Sequence, residues 1–403
     1  MIQNQASQAK GPPQSIHDLQ AQHSPMPLAG LVVFELGNSV AAPFCGQILG
    51  ELGAKVIKVE KPSGDDARKW GPPFWEGSGA YFQSLNRNKQ SIVCDFHDPQ
   101  QLDQLKQLVV EQADIVVQNM RPGQVEKLGL DAKSLSTLKP TLIYCNFGAF
   151  GSSGPLSQQP GYDPLMQAFS GIMSTTGEPG RPTVRVGASI VDLGTGLWGI
   201  IGILTALYER QKNNLGKTVD VSLFETATSW VSLIAAQYLA SNEVPTRQGS
   251  GAKGIVPYKA YTTTDGEIVI AAGSDALFLA LCEMLGHTEW STNPDFKDNP
   301  SRVANSNKLY ALIESLILTK STQEWLVACE AYGIPASAVQ NIEQMIQHPQ
   351  TKALGIVQNI PNSKMSFIGL PISFNGQRPQ IQTAPPKLGE HTNIYLRETD
   401  HES

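Results

Sequence analysis

Leu31-Val32-Val33-Phe34-Glu35-Leu36 runs into Gly37-Asn38-Ser39-Val40-Ala41-Ala42-Pro43, and Lys55-Val56-Ile57-Lys58-Val59-Glu60 follows one helical length later, after Gly53. Both apolar runs are short and bounded by turn residues, so each reads as a buried strand. Pro43 suits the start of the helix between them, where a missing N–H costs nothing. Strand, helix, strand at this spacing predicts a parallel pair with a right-handed crossover, and so an α/β fold. A nicotinamide-binding domain begins the same way, with an acid such as Glu60 for the ribose. The glycine pattern argues against it, because Gly37 leads into Asn-Ser-Val-Ala-Ala and not into G-x-G-x-x-G.

The same alternation continues outward. Strands are expected at residues 92–95, 114–118, 142–147 and 216–223, and helices at 100–111, 192–210 and 225–240. Asn119-Met120-Arg121-Pro122-Gly123 turns the chain after one of these strands. Asn119, Arg121 and Lys127 then lie beyond its carboxyl end, where open α/β sheets bind ligands. Gly194, Gly196, Gly199 and Gly202 fall at close spacing on one helix, which suits close packing against another helix or a second subunit. Composition then shifts. Gly249-Ser250-Gly251-Ala252-Lys253-Gly254 reads as a flexible loop, and residues 258–262 and 267–271 read as a hairpin around Asp265-Gly266. These observations predict a flexible tail over 1–26 and a large Rossmann-like domain with a parallel sheet from 27–225. A linker helix and a smaller α+β domain fill 226–335, and 336–403 returns to the large domain.

Composition narrows the function. The chain has 403 residues, 41% of them hydrophobic, and a net charge of −6, so a nucleic-acid surface is not expected. An anionic ligand must be held by local cations and backbone N–H groups. Cys45, Cys94, Cys145, Cys282 and Cys329 are scattered through apolar stretches, as in a reduced, cytoplasmic protein. The seven histidines show no metal-site spacing, so no metal is expected. The N-terminal residues have neither the apolar core of a signal peptide nor the basic amphipathic pattern of a transit peptide. The most apolar run, 193–207, is short and broken by glycine, and reads as a buried helix with no membrane partner.

Gly161-Tyr162-Asp163-Pro164-Leu165-Met166-Gln167-Ala168-Phe169-Ser170-Gly171 places an acid at a turn ahead of a helical run. With Pro164 as the first helical residue, Asp163 is the N-cap. The other reading makes it a nucleophilic carboxylate.

Several segments, in order over roughly residues 27–395, resemble the family III CoA-transferases. They are Leu28-Ala29-Gly30; Gly53-Ala54-Lys55-Val56-Ile57-Lys58-Val59-Glu60-Lys61-Pro62; Leu85-Asn86-Arg87-Asn88-Lys89-Gln90-Ser91-Ile92; Asn119-Met120-Arg121-Pro122-Gly123; Gly161-Tyr162-Asp163; Thr175-Thr176-Gly177; and Leu388-Gly389-Glu390-His391-Thr392. The resemblance implies a Rossmann-like large domain, a smaller domain and an interlocked homodimer. It implies that Asp163 attacks the thioester of an acyl-CoA, giving a mixed anhydride and then an aspartyl-CoA thioester. Coenzyme A enters as substrate, with no tightly bound cofactor, and a small carboxylic acid accepts it. Tyr162 or backbone N–H groups are expected to hold the carboxylate.

By the same resemblance Asn38, Ser39, Val40 and Ala41 form the turn that contacts CoA, although a polar Gln of the family is Val40 here. Lys61 stands where a cation near the nucleotide is common. Leu85, Arg87, Lys89, Asn119, Met120, Arg121 and Lys127 complete the candidate CoA contacts, the cations for its phosphates. Gly249, Ser250 and Gly251 match a glycine loop that covers the aspartate in relatives. Arg185 is a candidate for an acceptor's second carboxylate, because the shared cues point to members that use dicarboxylates, such as succinate–hydroxymethylglutarate CoA-transferase. Two other functions remain open. A 2-methylacyl-CoA racemase of this fold carries His where Tyr162 stands, with a second acid at Asp192. A non-catalytic CoA-binding scaffold is the third reading.

Overall fold

The structure, a computed structural model, describes residues 26–361 and 363–396. The tail expected over 1–26 lies outside these residues apart from Met26. Six strands form one parallel sheet: β1 (Val32–Leu36), β2 (Lys55–Glu60), β3 (Lys89–Val93), β4 (Ile115–Gln118), β5 (Ile143–Gly148) and β6 (Thr218–Ser222). Their order is β3-β2-β1-β4-β5-β6. Val33 faces Val56 on one side and Ile115 on the other, so strand order reverses at β1. The crevice of an α/β sheet opens at such a reversal, beyond the carboxyl ends of β1 and β4.

Phe34, Ile57, Ile92, Val116 and Tyr144 have no exposed surface and form the centre of one core. Continuous apolar runs are what a sheet buried on both faces requires. Helix α1 (Ala41–Glu51) makes the β1-to-β2 crossover, and Pro43 sits in its first turn. Helix α2 (Pro99–Gln112) adds Leu105, Leu108 and Val109 to the core. The Asp98 carboxylate caps it by accepting the N–H groups of Gln100 and Gln101.

The chain divides into two compact units. The first holds the described residues up to Phe147, Gly196–Asp220 and those from Gln358 onward; the second holds Gly148–Thr195 and Val221–Val357. This differs from the boundaries expected at 225 and 335. Composition marks where the strand pattern ends, but packing decides membership. Helix α3 (Asp163–Phe169) precedes α4 (Ile190–Asn213) and packs on α5 (Leu223–Trp230). Phe169 lies 5.4 Å from Phe150 and 5.3 Å from Phe224, ring centre to ring centre. The helix expected over 225–240 is two, because the chain bends at Val231 between α5 and α6 (Ser232–Ser241). Strands β7 (Tyr258–Thr262) and β8 (Glu267–Ala271) form the expected hairpin, with Glu267 facing Thr262. Strand β9 (Ala336–Ala338) pairs antiparallel with β8, which draws residues beyond 335 into this unit.

Helix α4 is longer than expected. Its 24 residues are long and apolar enough to cross a membrane by length and composition, a test that no run of the sequence was expected to meet. Its glycine face is occupied within the protein. A Cβ added at Gly199 would come within 2.3 Å of Phe147, and one at Gly202 within 2.4 Å of Val219. The small residues therefore seat α4 on the sheet of its own chain.

Candidate active site

Tyr162 is the N-cap of α3, with extended backbone, and Asp163 is the first helical residue. Asp163 therefore does not cap its own helix, contrary to the ordinary reading of Asp before Pro. Its carboxylate turns instead to the start of α4. Oδ2 accepts the N–H of Val191 at 2.8 Å and of Asp192 at 3.3 Å. These N–H groups have no partner inside α4, and a helix N-terminus stabilises negative charge. Oδ1 accepts Nε2 of Gln167 at 2.6 Å, one turn along α3. The Gln167 amide is itself fixed, because its Oε1 accepts the Val186 N–H at 2.8 Å. Asp163 is only 2% exposed. Gly161 permits this turn, since a Cβ there would lie 2.2 Å from the end of Met166.

The sequence reading assigned the support of Asp163 to Tyr162 or to backbone N–H groups. The N–H groups supply it, and the Tyr162 side chain is 59% exposed. Gln167 was missed, although its position four residues after Asp163 on a helix was the available signal. Asp192 lies in the first turn of α4. Burial first, then the charge of Asp163, pushes its carboxyl up to about 7.

Arg185 is exposed, and its guanidinium donates to the carbonyls of Val186 and Gly187. It sits one residue before the N–H that clamps Gln167. Gly249 donates its N–H to the Gly177 carbonyl, Gly251 to that of Gln248, and Ser250 Oγ accepts the Ala260 N–H. Among the described residues, none of these hydrogen bonds runs from the loop to Asp163.

The first unit carries the candidate CoA contacts. The Asn38 N–H donates to Asn119 Oδ1 at 2.9 Å, and Asn119 Nδ2 returns a bond to the Asn38 carbonyl at 2.8 Å. The loops after β1 and β4 are thus tied together at the strand reversal. Ser39 takes a left-handed φ of 68° and donates its N–H to Asp65. Helix α1 starts at the same edge, and its first N–H groups suit an anion. Lys61, Arg121 and Lys127 are exposed cations, and Lys61 pairs with Asp66 at 3.0 Å.

Other candidates are spent in the fold. Val40, Ala41 and Leu85 are buried, and Met120 packs against the core. Arg87 is 3% exposed, with Nε on Glu51 at 2.7 Å and its other nitrogens on the carbonyls of Ser84 and Ile368. Lys89 lies in the core on Glu35 Oε2 at 2.7 Å, the Pro43 carbonyl and Asn86 Oδ1. Both are therefore corrected from phosphate ligands to structural cations, because each is buried and already paired with a buried carboxylate. Burial is the larger influence on Lys89 and pushes it down to about 8. Lys58 contacts Glu35 at 2.9 Å and Asp65 at 2.8 Å. Burial opposes its charge, but Asp65 and Glu35 outweigh that and hold its ammonium above the usual lysine range. A Cβ at Gly46 would fall 1.9 Å from Glu35 Oε2, so this cluster needs glycine above it.

Succinyl-CoA:glutarate CoA-transferase of Homo sapiens is 35% identical over 376 residues, covering 92% of this chain and 86% of that protein. Succinate–glutarate CoA-transferase of Agrobacterium fabrum is 35% identical, covering 93% and 96%. Among solved structures, a CAIB/BAIF family protein from Brucella suis matches with a TM-score of 0.84 and 38% identity, over 92% of this chain and 98% of that one. The family model for CoA-transferase family III matches residues 28–392, and the chain belongs to that family.

Proposed function

We propose that this enzyme moves coenzyme A from an acyl-CoA to a free dicarboxylate, with Asp163 as the covalent carrier. The observation that carries the proposal is a buried carboxylate held by two N–H groups of a helix start and one amide, with no cation bonded to it among the described residues. Such donors orient the carboxylate without neutralising it, so Oδ1 keeps a lone pair for attack while Gln167 holds it in place. Oδ1 forms a bond to the thioester carbon, the C–S bond breaks, and CoA leaves as thiolate. The thiolate then attacks the Asp163 carbonyl of the mixed anhydride, and the acyl group departs as carboxylate. The acceptor carboxylate repeats these steps in reverse on the aspartyl-CoA thioester. Each attack on the Asp163 carbonyl puts negative charge on Oδ2, where the N–H groups of Val191 and Asp192 already point. They form an oxyanion site in place before the reaction begins.

The dicarboxylate assignment draws on the names of the relatives. Arg185 is assigned to the acceptor's second carboxylate, as an exposed guanidinium beside the residue that clamps Gln167. CoA is assigned to the tied loops at Asn38 and Asn119, with Lys61, Arg121 and Lys127 for its phosphates. A homodimer is supported by two apolar faces that the single chain leaves open. Leu197, Ile201 and Tyr208 of α4 are 46%, 52% and 62% exposed, and α6 has no buried residue and exposes Leu233 and Leu239. Sedimentation at micromolar concentration tests the dimer.

Intact-protein mass spectrometry after mixing with succinyl-CoA tests the chemistry. A CoA adduct that maps to Asp163 and is released by hydroxylamine is expected. An adduct that persists in Asp163→Ala, or turnover without any adduct, overturns it.

A further inference from the structure

The turn after β1 is tied to buried charge at both ends. Lys58 Nζ donates to the Gly37 carbonyl at 2.7 Å, and Lys89 Nζ to the Pro43 carbonyl at 2.8 Å. Both lysine side chains are fully buried. Between those ends Asp65 Oδ1 accepts the Ser39 N–H at 3.1 Å and the Ala67 N–H at 2.9 Å, while Oδ2 pairs with Lys58 at 2.8 Å. Asp65 is buried and is itself fixed: its own N–H donates to Glu60 Oε2 at 2.9 Å, and Arg68 bonds both oxygens of Glu60.

Ser39 is the strained residue of the turn. Its φ of 68° is left-handed, a conformation that glycine takes freely and that costs a residue with a Cβ. A charged acceptor on the Ser39 N–H offsets that cost, because hydrogen bonds to ionised groups are stronger than neutral ones. Asn38, the residue before it, exchanges two bonds with Asn119. Asp65 follows β2 and Asn119 follows β4, the two strands that flank β1. Adjacent residues of one turn are thus held from both sides of the strand reversal.

We infer that Asp65 is a positioning residue for coenzyme A: it holds Ser39 in the left-handed conformation and so sets residues 38–41 in the shape that receives the ligand. This role presupposes that CoA binds at the turn, as proposed above. Asp65 acts through the Ser39 N–H, and Lys58 keeps its carboxylate charged and in place.

Paired substitutions test it without stranding a charge. Lys58→Met/Asp65→Asn and Lys58→Met/Asp65→Ala both leave Glu35 with Lys89, but only the first keeps an oxygen for the Ser39 N–H. Calorimetry with coenzyme A should give a Kd within about threefold of wild type for the asparagine variant and roughly tenfold or more weaker for the alanine variant. In turnover the difference between the two should fall on KM for succinyl-CoA, with kcat alike; a merely structural role would lower the melting temperature and leave KM where it was. Lys58→Met/Asp65→Ser keeps a capping oxygen for the Ala67 N–H and draws it back from Ser39, so it serves in place of alanine if that variant does not fold, with the same loss expected. Equal Kd values with and without the Ser39 acceptor, or a loss that falls on kcat, overturn the role of Asp65. Hydrogen exchange of residues 37–43 in the wild type, with and without coenzyme A, tests the binding assignment separately. Protection by CoA is expected. Protection together with equal Kd values strikes the positioning role alone, and no protection strikes the assignment and the positioning role with it.

Discussion

Glu35 and Asp163 are both carboxylates removed from solvent, at 0% and 2% exposure, and they are held in opposite ways. Glu35, in the first unit, lies between the ammonium groups of Lys58 and Lys89 at 2.9 and 2.7 Å. Asp163, in the second, is held by two backbone N–H groups and an amide. A charge neutralised by cations on both oxygens is fixed in place and has little to offer an electrophile. A charge held by neutral dipoles keeps its electron density and loses only hydrogen bonds when it moves. Burial alone therefore does not decide how available a carboxylate is; the kind of partner does.

Removing the charge from each site separates the two roles. Asp163→Asn keeps the shape and an acceptor for the α4 N–H groups but removes the proposed nucleophile. Transfer is expected to fall on the order of 10⁴-fold or more, as when a nucleophile is lost elsewhere. The melting temperature should stay within a few degrees. An HPLC assay of acyl-CoA exchange reads the first and calorimetry the second; near-normal turnover would return Asp163 to the rank of a structural acid. Glu35→Ala should do the reverse. It leaves buried Lys89 without a carboxylate and Lys58 with Asp65 alone, and breaking a buried pair costs about 3–5 kcal/mol. Urea unfolding measures that loss, while the folded fraction should still form the aspartyl adduct.

Gln167→Ala probes the neutral side of the comparison with a smaller change. A hydrogen bond to a charged group contributes about 1.5–3 kcal/mol. Its loss should lower kcat roughly ten- to hundredfold through misplacement of the carboxylate, with KM for acyl-CoA little changed. A fall in affinity with constant kcat would mean that Gln167 meets substrate and not Asp163.

The sheet was legible because its strands are buried on both faces and read as short apolar runs between glycines. The hairpin at Asp265-Gly266 was legible for the same local reason. The assignment of Asp163 as carrier came from resemblance, since Asp before Pro at a helix start usually signals a cap. Its partners at Val191 and Asp192 were hidden because a backbone N–H carries no side-chain signature and lies 28 residues away in sequence. The fate of Arg87 and Lys89 was hidden for a related reason. Their neutralising acids, Glu51 and Glu35, sit on α1 and β1, and only the fold brings them together. A cation in a polar-looking motif reads as a ligand until its acid is found.

Lys61 carries the smallest expected effect, and it separates exposed from buried pairs within one unit. Its ion pair with Asp66 joins side chains that are 46% and 57% exposed, whereas those of Arg87 and Glu51 are 3% and 0%. An exposed pair is worth about 0–1 kcal/mol, so Lys61 can exchange Asp66 for a phosphate at little cost. Arg87 would have to leave buried Glu51 with only the Gln47 amide to do the same. Lys61→Ala should therefore raise KM for acyl-CoA several-fold, leave kcat and melting temperature unchanged, and flatten the dependence of KM on salt. Arg87→Met should lower stability by several kcal/mol with KM in the folded fraction unchanged. A Lys61 variant with wild-type KM at low salt would move the phosphates to Arg121 and Lys127, the remaining exposed cations among the candidates beyond β4.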